Sequence, residues 1–419
     1  MAYGENLLSV KETVRESIMH NTSRGFIGWS SCDRICMDMY SCLEEGSKLF
    51  QAGDCLEGLE VMLFIFVEGA KLASRADSSS GMLTDVMTHA LRLIGDCAQE
   101  LSGQEKQMRD QAFAGMMRVA KRKAFDGWYS WRYDLLKCMI CLCDEKHAGK
   151  MERELEALLE KADGSVFPEF ERHEIWTVRY LLHRHLRGKE AVRTELYEHI
   201  DIDELCRIAV RDAQKEEDYD EAERLCLDKV KTKGEWCYRS SDPEDWNNLL
   251  FEIYRASGDT AKQAQQAKKL LLYGNETFWD ILKELYQAKG TWGESFAGLL
   301  CELKSSGRTA CFRSILIREN EIKRLLDDLT ENPDDLFSYG GYLAGDYPEE
   351  LYALCRQVIC DSCGQARNRK EYRKVIKQIR QLLEWGGTDT ARELVEELGQ
   401  TYPRRTALLD ELQKINLNR

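Results

Sequence analysis

Proline is scarce in this chain, five residues in 419. Because proline removes a backbone donor and clashes with the turn before it, its scarcity leaves long stretches free to be helical. Long apolar runs are scarce too. The longest, Val61 to Val67, falls far short of the ~20 residues that a membrane-spanning helix needs. Nothing at Met1–Val10 reads as a secretory leader. The expectation is a chain without a transmembrane segment and without a membrane partner.

Signatures of catalysis are missing as well. There is no Walker-type loop, no Gly-x-Gly-x-x-Gly and no Gly-x-Ser-x-Gly elbow; Gly293-Glu294-Ser295-Phe296-Ala297-Gly298 has the wrong spacing for the last. His173-Glu174 lacks the second histidine of His-Glu-x-x-His. An acidic helical chain offers many carboxylates and no cue that marks a general acid or base. The reading is therefore of a non-enzyme with no cofactor and no catalytic residue.

Positive charge is in deficit, 59 Lys and Arg against 73 Asp and Glu, a net charge of -14. Such an averaged field repels phosphate backbones and anionic headgroups, so another protein or peptide is the expected partner and nucleic acid the alternative. Hydrophobic residues at 43% and charged ones at 32% are ordinary for a folded chain and argue against disorder. The 16 cysteines are scattered, which without a leader reads as free thiols in a reducing cytoplasm.

What is present is helical periodicity. Leu56, Leu59, Leu63, Phe66 and Ala70 fall on one stripe, predicting an amphipathic helix with a broad apolar face. Tyr372, Val375, Ile376, Ile379, Leu382 and Leu383 form another, with Lys370, Arg373, Lys374, Lys377 and Arg380 opposite. Short breaks recur between such segments: Ala52-Gly53-Asp54, Glu217-Asp218-Tyr219, Ser257-Gly258-Asp259, Ser306-Gly307-Arg308 and Gly387-Thr388-Asp389. A glycine ending one helix, with Asp or Thr capping the next, joins antiparallel pairs. Asp218 to Gly258 is ~40 residues, close to the length of helical-pair repeats. The predicted class is all-α, with degenerate TPR-like helical pairs stacked into a curved α-solenoid. Small residues and a proline at 162–168 predict a linker between an N-terminal helical domain, 1–161, and a C-terminal repeat domain, 169–419.

Several segments, in order, carry a resemblance. They are Asp77-Ser78-Ser79-Ser80-Gly81, Asp218-Tyr219-Asp220-Glu221-Ala222, Tyr347-Pro348-Glu349-Glu350, Asn368-Arg369-Lys370-Glu371-Tyr372 and Tyr402-Pro403-Arg404-Arg405-Thr406-Ala407-Leu408-Leu409. Between Phe26 and Leu412 the pattern resembles the long helical region that follows the zinc-binding module of bacterial SWIM zinc finger proteins. That module needs Cys-x-Cys and a later Cys-x-His around one tetrahedral ion. The chain has Cys141-Leu142-Cys143 but no Cys-x-His. The resemblance thus implies a helical interaction region without the zinc finger.

Candidate sites follow from residue type and spacing. Cys138, Cys141, Cys143 and His147 crowd together, but Trp131, Leu135, Cys138 and Leu142 share a stripe, predicting continuous helix. On it Cys141 and Cys143 would point ~200° apart, so buried inert thiols are expected. Cys360 and Cys363 are the better Cys-x-x-Cys, a weak metal or redox candidate lacking a second half-site. Cys32 and Cys36 read as core, and His183 and His185 as pointing to different faces. Two basic stretches stand out, Arg118 with Lys121-Arg122-Lys123, and Arg367 to Arg380. Partner-binding candidates are the aromatics Trp128, Trp131, Trp236 and Tyr238 and the basic residues Arg369, Arg373, Lys374, Lys377 and Arg380. The basic stretches also read as solvated faces and the aromatics as wedges between helices.

Overall fold

The computed structural model describes residues 4–233 and 245–417. Among these the fold is all-α, as the periodicity predicts: no strand forms, and extended pairing is limited to bridges of Ser23 with Phe26 and Ile27 with Ala76. No helix among them is long and apolar enough to cross a membrane. The chain divides into two compact units, Met1–Glu216 and Glu217–Arg419.

The first unit contains α1 (Glu5–Asn21), α2 (Trp29–Gln51), α3 (Cys55–Ala73), α4 (Met82–Ser102), α5 (Lys106–Ala120), α6 (Tyr129–Cys138), α7 (Glu145–Ala162), α8 (Pro168–Arg187), α9 (Arg193–Glu198) and α10 (Asp203–Lys215). α3 is its axis. The predicted Leu59, Leu63, Phe66 and Ala70 are buried, but so are Val61, Met62, Ile65 and Leu72. A helix apolar nearly all round belongs inside, and α1, α2, α4 and α5 pack about it. α2 approaches most closely: a Cβ on Gly58 would lie 2.6 Å from the Gly46 carbonyl oxygen, so this crossing requires glycine.

The segment 162–168, expected to be a linker, lies inside this unit. Leu155 and Leu158 of α7 and Ile175, Val178 and Leu182 of α8 belong to the same core as the N-terminal helices. The two helices pack directly on each other, and the division of the chain comes after α10 instead.

The second unit contains α11 (Tyr219–Lys233), α12 (Trp246–Ser257), α13 (Thr260–Leu272), α14 (Thr277–Ala288), α15 (Trp292–Ser305), α16 (Thr309–Arg318), α17 (Ile322–Glu331), α18 (Leu336–Tyr339), α19 (Pro348–Gln365), α20 (Arg369–Glu384), α21 (Thr388–Thr401) and α22 (Thr406–Leu412). From α11 to α17 each helix packs on the next. The joint between α12 and α13 has the predicted chemistry: Gly258 is left-handed at φ 73°, and the Asp259 carboxylate accepts from the N–H groups of Ala261 and Lys262. The stripe predicted on α20 is also buried as expected, at Tyr372, Val375, Ile376, Ile379 and Leu382. Arg313, 1% exposed, donates to Asp328 at 2.7 Å and Asp335 at 2.6 Å.

Candidate binding groove

α3 reaches the surface along one strip, at Glu60, Phe64, Glu68 and Lys71. These positions recur every three or four residues, so they form a single line down the helix. α1 and α5 both pack on α3 and stand on either side of this line. The result is a trough with a floor of Leu63, Phe64 and Val67 interrupted by Glu60, Glu68 and Lys71, one wall of Leu7, Lys11 and Arg15, and another of Gly115, Arg118, Val119 and Arg122. It encloses about 400 Å³. Past Arg15 and Glu68 it continues into a second hollow of about 450 Å³ that ends at Arg24 and Arg75.

Each wall is set by identifiable contacts. Glu57 of α3, 4% exposed, accepts from the N–H groups of Asn6 at 3.1 Å and Leu7 at 3.4 Å. It satisfies two first-turn donors that Gly4, at the N-cap, has no side chain to reach. That contact lays the start of α1 along α3. The far end is closed by Ser23-Arg24-Gly25-Phe26, a tight turn in which Ser23 and Phe26 exchange both backbone hydrogen bonds and the two central residues have φ 53° and 83°. Ile27 fastens this turn to the next loop, donating to the Arg75 carbonyl and accepting from the Asp77 N–H.

Charge sets the trough apart from the rest of an acidic molecule. Seven cations and two carboxylates line its two hollows. Among the described residues Lys11, Arg15, Arg24, Arg75, Arg118 and Arg122 make no ion pair, whereas Lys71 is held by Glu68 at 2.7 Å. The ammonium of Lys11 lies 5.8 Å from the centre of the Phe64 ring. An apolar floor under unpaired guanidinium groups suits a ligand that combines apolar and anionic parts.

One group in this unit has the composition of a metal site: Asp110 on α5, with Asp144 and His147 at the start of α7. His147 is 1% exposed, with Nε2 3.3 Å from Asp110 and Nδ1 3.0 Å from Asp144, contacts that fall outside hydrogen-bond geometry. The Asp144 carboxylate is already engaged, accepting the His147 N–H as the cap of α7 and lying 3.5 Å from the Arg109 guanidinium. Burial lowers the His147 pKa below its ordinary value; the two carboxylates oppose the shift and Lys150 and Arg109 add to it. Arg109 and Lys150 offset part of the charge of the two carboxylates.

The residues singled out in the sequence are dispersed. The helix expected through 131–142 is not continuous: α6 stops at Cys138, a 3-10 turn covers Ile140–Leu142, and Cys143 is extended. An apolar stripe is equally compatible with such a turn, which is why periodicity missed the break. The Cys141 thiol donates to the Cys138 carbonyl and that of Cys143 to the Met139 carbonyl. Burial raises the pKa of Cys138 to about 11 and of Cys143 to about 12. Cys363 lies in the core and Cys360 is half-buried; burial raises both thiols. His183 faces Glu152 and Glu195, while His185 faces the Cys143 carbonyl.

Trp128 and Trp131 stack with centroids 5.2 Å apart, Trp131 against the core and Trp128 at the surface. Trp236 and Tyr238 lie outside the described residues. On α20, Arg369 pairs with Asp410 at 2.7 Å and Arg373 lies 3.6 Å from Glu411, whereas Lys374, Lys377 and Arg380 are exposed and make no ion pair among the described residues. Arg405 is engaged elsewhere, donating to the carbonyls of Cys363 and Ala366 at the end of α19. The basic stretch around Arg118 splits: Lys121 pairs with Glu154 at 2.8 Å, and Arg118 and Arg122 enter the trough. No protein-family model matches the chain, and no curated protein matches it in sequence.

Proposed function

We propose that this protein is a non-catalytic helical-repeat scaffold that holds another protein or peptide. In this reading its tandem helix pairs form a curved array of TPR-like type working in the cytoplasm. The observation that carries it is the trough of the first unit, where unpaired cations surround an apolar floor. Packing of each helix on its successor from α11 to α17 supports the repeat reading. The test is immunoprecipitation of the chain from its native host beside the double variant Lys11→Glu/Arg118→Glu. A reproducible partner that is lost with the variant is the expected result; no partner in either sample counts against the scaffold.

A second reading rests on a separate observation, the row Lys370, Lys374, Lys377 and Arg380 on α20, which makes no ion pair among the described residues. Such a row suits a phosphate backbone, as in a nucleic-acid-associated accessory protein of SWIM zinc finger type. Electrophoretic shift at low salt tests it; no shift at micromolar protein disposes of it.

A further inference from the structure

We infer that the trough between α1 and α5 takes an acidic amphipathic α-helix of a partner protein, seated with its apolar face on α3. The inference rests on the scaffold reading and names the chemistry of what the scaffold holds. Three observations converge on this occupant.

The first is shape. The three helices lining the trough each offer one regular stripe: 7, 11 and 15 on α1, 60, 64, 68 and 71 on α3, and 115, 118 and 119 on α5, with Arg122 just past the end of α5. From Leu7 to Thr22 the α1 wall runs about 22 Å at 1.5 Å per residue, enough for four turns of a guest. Gly115 leaves its wall open, since a Cβ there would meet one atom, at ordinary contact distance. The second is backbone chemistry. Walls and floor are helices whose N–H and C=O groups bond within themselves, so the trough offers an extended guest almost no backbone partner. A strand would bury unpaired groups, whereas a helix arrives with its own satisfied.

The third is charge placed in two rows. Lys11 and Arg15 stand on one wall and Arg118 and Arg122 on the other, with Leu63, Phe64 and Val67 between them beside Glu60 and Glu68, the latter already paired with Lys71. A helix with apolar positions at i, i+3, i+4 and i+7 and carboxylates on both shoulders matches that order. A phosphate backbone has nothing to bury on Leu63, Phe64 and Val67, and the net charge of -14 opposes it. A bilayer surface is too flat to engage a floor recessed between two helices.

The probe is a fluorescein-labelled 18-residue peptide with leucines at i, i+3, i+4 and i+7 and glutamates on both shoulders, read by polarisation against the full chain. Expected are saturable binding with a gain of helical circular dichroism, and a loss of affinity of about tenfold or more for Arg118→Glu/Arg122→Glu. A scrambled peptide of the same composition should bind about tenfold more weakly. The neutral pair Arg118→Gln/Arg122→Gln guards against misfolding, and should also weaken binding with its melting curve unchanged. Equal binding of the scrambled peptide, equal binding by both variants, or displacement of the peptide by duplex DNA or phosphatidylserine vesicles at equimolar charge overturns the inference. If a host partner still depends on the trough while the designed peptide fails, the scaffold reading stands and the helical guest falls.

Discussion

Each unit presents a row of exposed cations, and the two rows differ in what lies beneath them. On α20 the row is convex. Its apolar residues face inward, Arg369 and Arg373 at its start are held by Asp410 and Glu411, and the free charges stand over solvent. In the first unit the cations face each other across half-buried Phe64, with Glu60 and Glu68 beside it. Surface ion pairs and lone surface charges contribute little, whereas charge beside apolar area that a guest can cover contributes both affinity and orientation. A run of basic residues in sequence is therefore a poor marker of a site. A concavity where cations from distant segments meet is a better one.

The comparison assigns binding to the first unit, so it is challenged most severely by damaging the second. Arg313→Ala leaves Asp328, 3% exposed, with only the Lys304 ammonium, 3.8 Å away, as a counter-charge. Removing the closer partner of a buried charge costs about 3 kcal/mol. Urea unfolding should show that loss, while peptide binding at 10 °C stays within twofold of the parent. If binding is lost along with the stability, the trough does not function apart from the second unit. Arg313→Met, which fills the space without a charge to satisfy, should cost less than Arg313→Ala.

A smaller effect is expected where the trough wall is anchored. Glu57→Ala removes the acceptor of the half-buried Asn6 and Leu7 N–H groups, at about 1 kcal/mol. Because it frees the start of α1, affinity for the acidic peptide should fall several-fold. On α22, Glu411→Ala should do the reverse, releasing charge on Arg373 of α20 without creating a peptide site. Differential scanning calorimetry and polarisation on the same samples would separate stability from binding.

Acid sharpens the contrast in another way, since all seven histidines precede Glu217. Burial holds the His147 imidazole below its ordinary pKa of 6.5, so the folded first unit binds a proton less readily than the unfolded chain. Its contribution is fully present above pH 6.5 and is lost as pH falls below that value. Urea titrations at pH 7.5 and 5.5 should show the first unit weakening and the second little changed. His147→Gln should flatten the dependence; an undiminished slope would place its origin elsewhere.

How much of this was legible follows from how local each feature is. α20 reads directly because its stripe, its Asn368 cap and its charged face all sit within one helix. The turn at Gly258-Asp259 reads for the same reason. The end of α6 could have been found from Asp144 followed by Glu145, an N-cap before an acidic first turn, but the apolar stripe across Cys138 and Leu142 outweighed it. The trough could not be read. Its cations come from positions 11–24, 71–75 and 118–122, and only the last stood out as a basic stretch. That α3 is the axis of its unit was hidden too, since its burial on every side but one depends on where four other helices land.

The smallest expected effect is at Arg24, which holds φ 53° at the first central position of its turn. A left-handed conformation costs a residue with a side chain about 1 kcal/mol, and mirror-image turns of this kind favour Asn-Gly over Arg-Gly. Arg24→Gly relieves that strain but adds freedom to the unfolded chain, so a net gain of about 0.5 kcal/mol is expected in urea. Arg24→Asn keeps a residue that tolerates the turn and likewise removes the charge. Both variants should therefore be at least as stable as the parent while binding the acidic peptide about twofold more weakly. If both variants bind the peptide as the parent does, the guest ends before Arg24, and the trough in use is the one bounded by Lys11, Arg15, Arg118 and Arg122.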